Sequence, residues 1–328
     1  MALPGEFALI ARHFRPLAED IPGALALADD AALLDPPPGR TLVLAADAMV
    51  AGVHFLPEDP PGTIGRKLLR VNLSDLAAMG ADPLGYLMTT ALPPDMTPDW
   101  LDAFAHGLKE DQRGFGCGLL GGDTVSTPGP LALSLTVVGS VAPGRALTRA
   151  GAREGDAVWV SGTIGDGALG LLALTDRLPG LAEADRAALA ERYRLPRPRL
   201  ALGRRLFGLA TACLDVSDGL VQDLGHLCRA AGLSAELDAA LIPLSAAARA
   251  AIALDPALFA RCLTGGDDYE LVFTAPGTAA ETLERLAAET GIPLARIGRM
   301  IPAIGTEVRV LRDGTELPLE RTGWSHIP

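Results

Sequence analysis

One carboxylate interrupts an otherwise apolar helical periodicity over residues 63–80. Leu68, Val71, Asn72, Asp75 and Met79 recur at the spacing of a single helix face, and Gly80 followed by Pro83 ends the segment. Thr63 is the expected N-cap. Asp75 thus shares a face with Leu and Met. A carboxylate there must be paired, hydrogen-bonded or held by a cation, because an isolated buried charge costs more than folding can spare. Two readings are open from this stretch alone, a rim aspartate that reaches water and a cation ligand.

The same question recurs along the chain. Residues 41–46 read as a strand that ends at Asp47, and residues 50–55 as its continuation carrying His54. Residues 83–91 and 131–141 read as strands, residues 97–114 as a helix, and Asp29, Asp30 and Asp123 stand where apolar runs meet turns. A boundary is expected between Pro143 and Gly155, where Pro, Gly and charge replace the periodicity. In the second half Asp215 and Asp218 precede a helix over residues 221–231, where Ser217 or Asp218 is also a possible cap. Asp267 and Asp268 follow a glycine pair and lead into a strand. Residues 200–212 read as one helix. Strands alternating with helices make an α/β protein, and 328 residues suffice for two buried cores. With 49% hydrophobic residues but only 4% aromatic, those cores must be built from Ala, Leu and Val.

The net charge of −12 argues against a nucleic-acid partner, which needs clustered cations facing the phosphate backbone. An acidic protein handling phosphates needs metal ions between the negative groups. The one Arg-dense stretch, Arg192, Arg194, Arg197, Arg199, Arg204 and Arg205, reads as a loop leading to a solvated helix face, with a phosphate or acidic-partner contact as the alternative. Cys117, Cys213, Cys228 and Cys262 form no CxxC pair and read as buried thiols of a reducing, cytoplasmic compartment. Residues 1–15 lack the long apolar run of a signal peptide, and no apolar run approaches the roughly 18 residues of a membrane span.

Motifs narrow the chemistry. HExxH, GxSxG, the Walker A lysine loop and the HRD/DFG kinase set are absent, which removes support for zinc proteases, serine hydrolases and the common kinases. Gly162-x-x-Gly165-x-Gly167-x-x-Gly170 contains a literal GxGxxG between strand and helix, but residues 181–194 then read as helix where a dinucleotide fold needs a second parallel strand. A tight turn and close helix packing are the expected roles. Acids beside Gly at element junctions suggest an oxygen-ligand site for hard cations and phosphoryl chemistry carried by metals and positioning.

Taken in order, Asp29-Asp30-Ala31-Ala32-Leu33-Leu34, Val53-His54-Phe55, residues 72–81, Gly121-Gly122-Asp123-Thr124, Leu147-Thr148-Arg149-Ala150-Gly151-Ala152, Asp215-Val216-Ser217-Asp218-Gly219-Leu220 and Gly266-Asp267-Asp268-Tyr269-Glu270-Leu271 resemble the thiamine-monophosphate kinases along nearly the whole chain. The closing Gly323-Trp324-Ser325-His326 resembles that family's terminal aromatic-x-His motif. The wider superfamily contains aminoimidazole ribonucleotide synthetase, selenophosphate synthetase and a hydrogenase-maturation protein. The first of these gives its name to the two-domain α/β fold the resemblance implies. That fold has an N-terminal sheet domain over residues 1–148 that dimerises and binds ATP, and a C-terminal α/β domain over residues 149–328.

The resemblance further implies direct transfer of the γ-phosphoryl of ATP to thiamine monophosphate, with several Mg²⁺ ions and no covalent intermediate, in a cytoplasmic homodimer. By position Asp30, Asp47, Asp75, Asp123, Asp215 and Asp218 match metal ligands. Gly122, Asp123, Arg149 and Ser217 match ATP contacts, and His54, Asp267 and Trp324 match substrate contacts. Trp324 reads equally as a stacking partner for a cationic ring or as a plug on the core. Selenophosphate synthetase, which wants a reactive Cys near the N-terminus, is disfavoured because the first Cys here is Cys117. Three departures stand out: Ala45 and Ala46 where the family carries hydroxyls, Asp267 where it carries Glu, and Ala28 where Gly is often found.

Overall fold

The computed structural model describes residues 5–325, so His326 of the closing motif lies outside the described residues. The chain divides into two compact units, Met1–Leu76 with Ala81–Gly144, and Ala77–Gly80 with Arg145–Pro328.

The first unit begins with α1 (Glu6–Leu9), which runs on as a π-helical turn over Ile10–Phe14. Its sheet contains β1 (Thr41–Val50), β2 (Asp82–Leu92), β3 (Gly118–Ser126) and β4 (Ala132–Val141) in the order β1-β4-β2-β3. Only β2 and β3 are parallel. Two long helices, α2 (Pro61–Ala78) and α3 (Pro98–Phe115), pack side by side. A Cβ on Gly107 of α3 would lie 2.1 Å from the Gly62 carbonyl oxygen of α2, so glycine is what lets the two backbones meet. Arg70 of α2 then forks onto Asp111 of α3 at 2.5 and 2.9 Å.

Three local expectations change here. β1 does not stop at Asp47 but pairs with β4 without a break from Thr41 to Val50, and residues 51–54 form a turn closed by the Ala51–Phe55 bridge. Asp47 is therefore inside a strand, and His54 is on a turn. β1 is an edge strand, and the Asn72 side chain accepts the Asp47 N–H at 3.1 Å. α2 starts at Pro61, whose fixed φ suits the first helical position, and the Thr63 hydroxyl donates back to the Pro60 carbonyl at 2.7 Å instead of capping. Asp123 lies within β3, because Gly122 permits an approach in which a Cβ would meet the Met88 oxygen of β2 at 1.7 Å.

The second unit carries β5 (Ala157–Ser161), α4 (Asp166–Leu174), α5 (Glu183–Arg194), α6 (Leu200–Leu206), β6 (Ala212–Asp215), α7 (Leu220–Ala231), β7 (Leu233–Asp238), α8 (Ala246–Leu254), α9 (Leu258–Thr264), β8 (Leu271–Ala275), α10 (Ala280–Thr290), β9 (Leu294–Pro302), β10 (Val308–Arg312) and β11 (Thr315–Glu316). The strands form one sheet ordered β11-β10-β7-β9-β5-β8-β6. α6 stops six residues short of the expected end, because Gly208 takes φ +82° and turns the chain into β6. α9 has no capping side chain or punctuating glycine before it, and the sequence reading passes over it. The GxGxxG segment makes a left-handed turn at Gly162 (φ +58°) and Gly165 (φ +91°). At Gly170 a Cβ would lie 2.3 Å from the Leu189 oxygen of α5, so the glycines serve turn and packing as expected. All four cysteines are free and buried, and burial raises each thiol above its ordinary pKa. Among the described residues no helix is long and apolar enough to cross a membrane.

Candidate functional site

In the first unit the period-2 alternation of β1 turns Val43, Asp47 and Met49 toward α2, with Leu42 and Leu44 on the opposite face. Asn72, fully buried on α2, accepts the Asp47 N–H while its amide donates to the Leu68 carbonyl at 2.9 Å. Asp75 follows three residues later on that helix face and is half-buried, at the edge of the apolar stripe. His54 accepts the Val50 N–H on Nδ1 at 3.0 Å, which in the neutral ring leaves Nε2–H as donor. The buried Lys67 ammonium donates to the His54 carbonyl at 3.0 Å.

On the sheet face turned away from α2 and α3, the N-terminal segment partly covers the strands and leaves a cavity of about 640 Å³. Phe7, Leu27, Asp30, Leu87, Gly122 and Asp123 line it. That volume suits a nucleotide-sized ligand, and the mixture of apolar walls with two acids suits a group with a ring at one end and charge at the other. Asp30 and Asp123 are exposed, and each side of the cavity turns on its own local bond: Asp29 accepts the Asp30 N–H at 3.0 Å, and Asp123 accepts the Thr124 N–H at 2.8 Å. The structure thus brings Asp30, Gly122 and Asp123 to one cavity and places Asp47 and Asp75 on the α2-facing side of the same sheet.

In the second unit two loops are zipped backbone to backbone. Val216 N–H donates to the Glu270 carbonyl at 2.8 Å, Asp267 N–H to the Ser217 carbonyl at 2.9 Å and Tyr269 N–H to the Val216 carbonyl at 2.8 Å. The C-terminal stretch docks on the same turn: Trp324 N–H donates to the Asp218 carbonyl at 2.9 Å, and Gln222 of α7 donates to the Trp324 carbonyl at 2.7 Å and the Asp218 carboxylate at 3.3 Å. Asp215, Ser217, Asp218, Asp267 and Trp324 are therefore gathered by one pair of loops and one strap. Trp324 is 43% exposed, so it is not a plug buried in the core. Arg149 is exposed beside this group, because the neighbouring Thr148 carbonyl accepts the Cys213 N–H at 2.9 Å, two residues before Asp215.

Two further carboxylates are buried beside these loops. Asp223 is buried below the turn, accepting the Asp218 and Gly219 N–H groups at 2.9 and 3.0 Å. Burial first, and then the charge of Asp215, push its carboxyl up to about 8. Asp268, also buried, accepts the Gly165 and Gly167 N–H groups at 2.7 and 3.0 Å at the start of α4, and burial raises it well above the usual carboxylate range. Among the described residues no group of three or more His, Cys, Asp or Glu side chains is gathered to hold a metal ion alone. Magnesium commonly binds through one or two carboxylates with water and substrate phosphate, so paired acids without a complete protein cage fit that ion.

Sequence reasoning missed Gln222 and Asp223, which hold the Asp218 turn, and it misread part of the Arg-dense stretch. Arg192 and Arg199 turn inward onto the buried Glu270, while Arg197 and Arg205 meet Glu191 and Glu289 at the surface. The signal was the density itself: so many guanidinium groups in one short stretch exceed what a solvated face needs.

Known proteins resemble the chain over its full length. The family model described as AIR synthase related protein matches through its N-terminal domain at residues 28–141 and its C-terminal domain at residues 153–310. A thiamine-monophosphate kinase of Escherichia coli O157:H7 is 42% identical over 98% of this chain and 98% of its own. Among solved structures, thiamine-monophosphate kinase from Stenotrophomonas maltophilia K279a superposes with a TM-score of 0.83 at 43% identity, covering 96% of this chain and 98% of that one. AaThiL complexed with AMPPCP and TMP superposes with a TM-score of 0.78 at 31% identity, covering 98% and 97%.

Proposed function

This chain belongs to the thiamine-monophosphate kinase family, and from that premise we propose that it phosphorylates thiamine monophosphate to thiamine diphosphate at the expense of ATP. The observation that carries the reading is the full-length likeness to a kinase that holds AMPPCP and TMP together. In the reaction an acceptor phosphate oxygen forms a bond to the γ-phosphorus as the bond to the β–γ bridging oxygen breaks, and ADP leaves. A phosphate monoester has a second pKa near 6, so its oxygen is already largely deprotonated at neutral pH and no general base is required. That agrees with assigning no side chain as nucleophile or base.

What the chain's own residues do is position and bind. Asp30, Asp47, Asp75 and Asp123 in one unit and Asp215 and Asp218 in the other would hold Mg²⁺, which when bound offsets the repulsion between two anionic substrates. In the first unit Gly122 is a candidate ATP contact; in the second, Arg149 can fork onto phosphate oxygens and Ser217 is a candidate ATP contact. In the first unit His54 can offer Nε2–H to a phosphate acceptor; in the second, Asp267 is a candidate acceptor contact and Trp324 can stack on a cationic ring. Ala45 and Ala46 bring no hydroxyl to the metals, so only backbone carbonyls serve there. The apolar Leu42, Leu44, Leu87 and Val125 on the sheet face away from α2 and α3 support a homodimer formed through that sheet. Four unpaired buried thiols support a cytoplasmic location.

Incubation with ATP, Mg²⁺ and thiamine monophosphate should release thiamine diphosphate and ADP in equal amounts, resolved by chromatography. Folded protein that consumes no ATP, or that releases ADP without forming thiamine diphosphate, would sink the reading.

A further inference from the structure

Two arginines of the dense stretch have no part in the reading above, yet they occupy the interior of the second unit. Arg192 is the third-last residue of α5, and Arg199 is the residue before α6. Both reach Glu270, whose side chain is fully buried. Arg192 Nη2 donates to Glu270 Oε1 at 3.0 Å, Arg199 Nε donates to Oε2 at 2.6 Å, and Arg199 Nη2 also reaches Oε1. Ser161 Oγ donates to Oε2 at 2.6 Å and accepts the Leu271 N–H at 2.9 Å. The packing leaves no slack, since a Cβ on Gly162 would stand 2.1 Å from Oε1.

This cluster sits at the end of the loop that carries Asp267. Asp267 (φ +72°) and Tyr269 (φ +52°) both have left-handed backbones, a conformation that side-chain-bearing residues hold only when their surroundings impose it. The imposing contacts are on the page. Three backbone bonds tie the loop to residues 216–217, Arg192 Nη2 reaches the Asp268 carbonyl at 3.4 Å, and Glu270 is anchored from three sides. The first of those contacts define where the loop lies. The Glu270 anchor defines where it ends.

We propose that the Arg192–Glu270–Arg199 cluster is a positioning device for the phosphate acceptor: it holds Asp267 and Tyr269 in their left-handed form, so that Asp267 meets thiamine monophosphate, and thereby sets selection of the acceptor and not of ATP. This rests on the kinase reading. No cluster side chain touches either substrate; the effect runs through the loop.

The test uses the full chain. Arg199→Met removes the fork, Arg199→Lys keeps charge without it, and Ser161→Ala keeps every charge while removing one bond to Glu270. Steady-state KM for thiamine monophosphate should rise about tenfold in Arg199→Met, with partial recovery in Arg199→Lys and a smaller rise in Ser161→Ala, while KM for ATP stays at the wild-type value. A merely structural role would lower the melting temperature and the active fraction without splitting the two KM values. Equal changes in both, no change in either, or failure of all three variants to fold would overturn the proposal. Wild-type protein without turnover would overturn the kinase reading and this proposal together, whereas normal wild-type turnover with unsplit KM values overturns the proposal alone.

Discussion

Asp75 shows how much one residue's meaning depends on its neighbours. It stands at the edge of an apolar helix face, half-buried, one turn beyond the Asn72 that ties α2 to the Asp47 backbone. A group kept for binding is suboptimal for stability, so Asp75→Asn should abolish thiamine diphosphate formation while leaving the melting temperature unchanged or raised. A melting point lowered by many degrees would instead make Asp75 a structural residue. Asp268 gives the opposite kind of case. Burial, outweighing two opposing backbone N–H bonds, raises its pKa above the ordinary 3.8. The unfolded chain then releases this proton near 3.8 while the folded one retains it, so stability is lost as pH climbs from there toward the raised folded value. The stability that Asp268 contributes should therefore fall as pH rises above the ordinary carboxylate range, and Asp268→Asn should remove part of the resulting decline in melting temperature in calorimetry. An equal decline in both proteins would assign the pH dependence elsewhere.

Among elements, the long periodic helices were legible, whereas the end of the edge strand β1 and the short α9 were not. α3 begins at Pro98 with Thr97 accepting the Trp100 N–H at 3.2 Å, one residue from the position its periodicity marks. β1 was misjudged at its end because an aspartate inside a strand looks like a terminator in one dimension, and only the partner strand and Asn72 show that it is not. The α2–α3 contact is invisible in composition, since Gly62 and Gly107 read as ordinary helix glycines. Gly107→Ala would drive a methyl group to 2.1 Å from a backbone oxygen that cannot rotate away. Overpacking of this kind costs about 1–3 kcal/mol, so Gly107→Ala should melt earlier than wild type, whereas Gly114→Ala on the same helix, with open space around it, should not.

On the scale of the whole molecule, two units each enclose a core made chiefly of Leu, Val and Ala. The first unit leaves Leu44 64% exposed on its sheet face, on a strand whose other side is buried. If association through that face makes the dimer, Leu44→Asp should convert the protein to monomer in light scattering with little change in helix and strand content, because a charge in an apolar interface must be desolvated. A dimer that persists would place the interface elsewhere. The order of the acid-bearing motifs, the α/β class and the family were determined by the sequence alone, because hydrophobic period and motif spacing are one-dimensional quantities. Only tertiary structure decided that Asp47 lies inside a strand, that Arg192 and Arg199 converge on Glu270, and that the Trp324 strap rests on the Asp218 turn. Each of these depends on backbone groups meeting across long sequence separations, where pairing follows from which donors and acceptors remain unsatisfied once the sheets have formed.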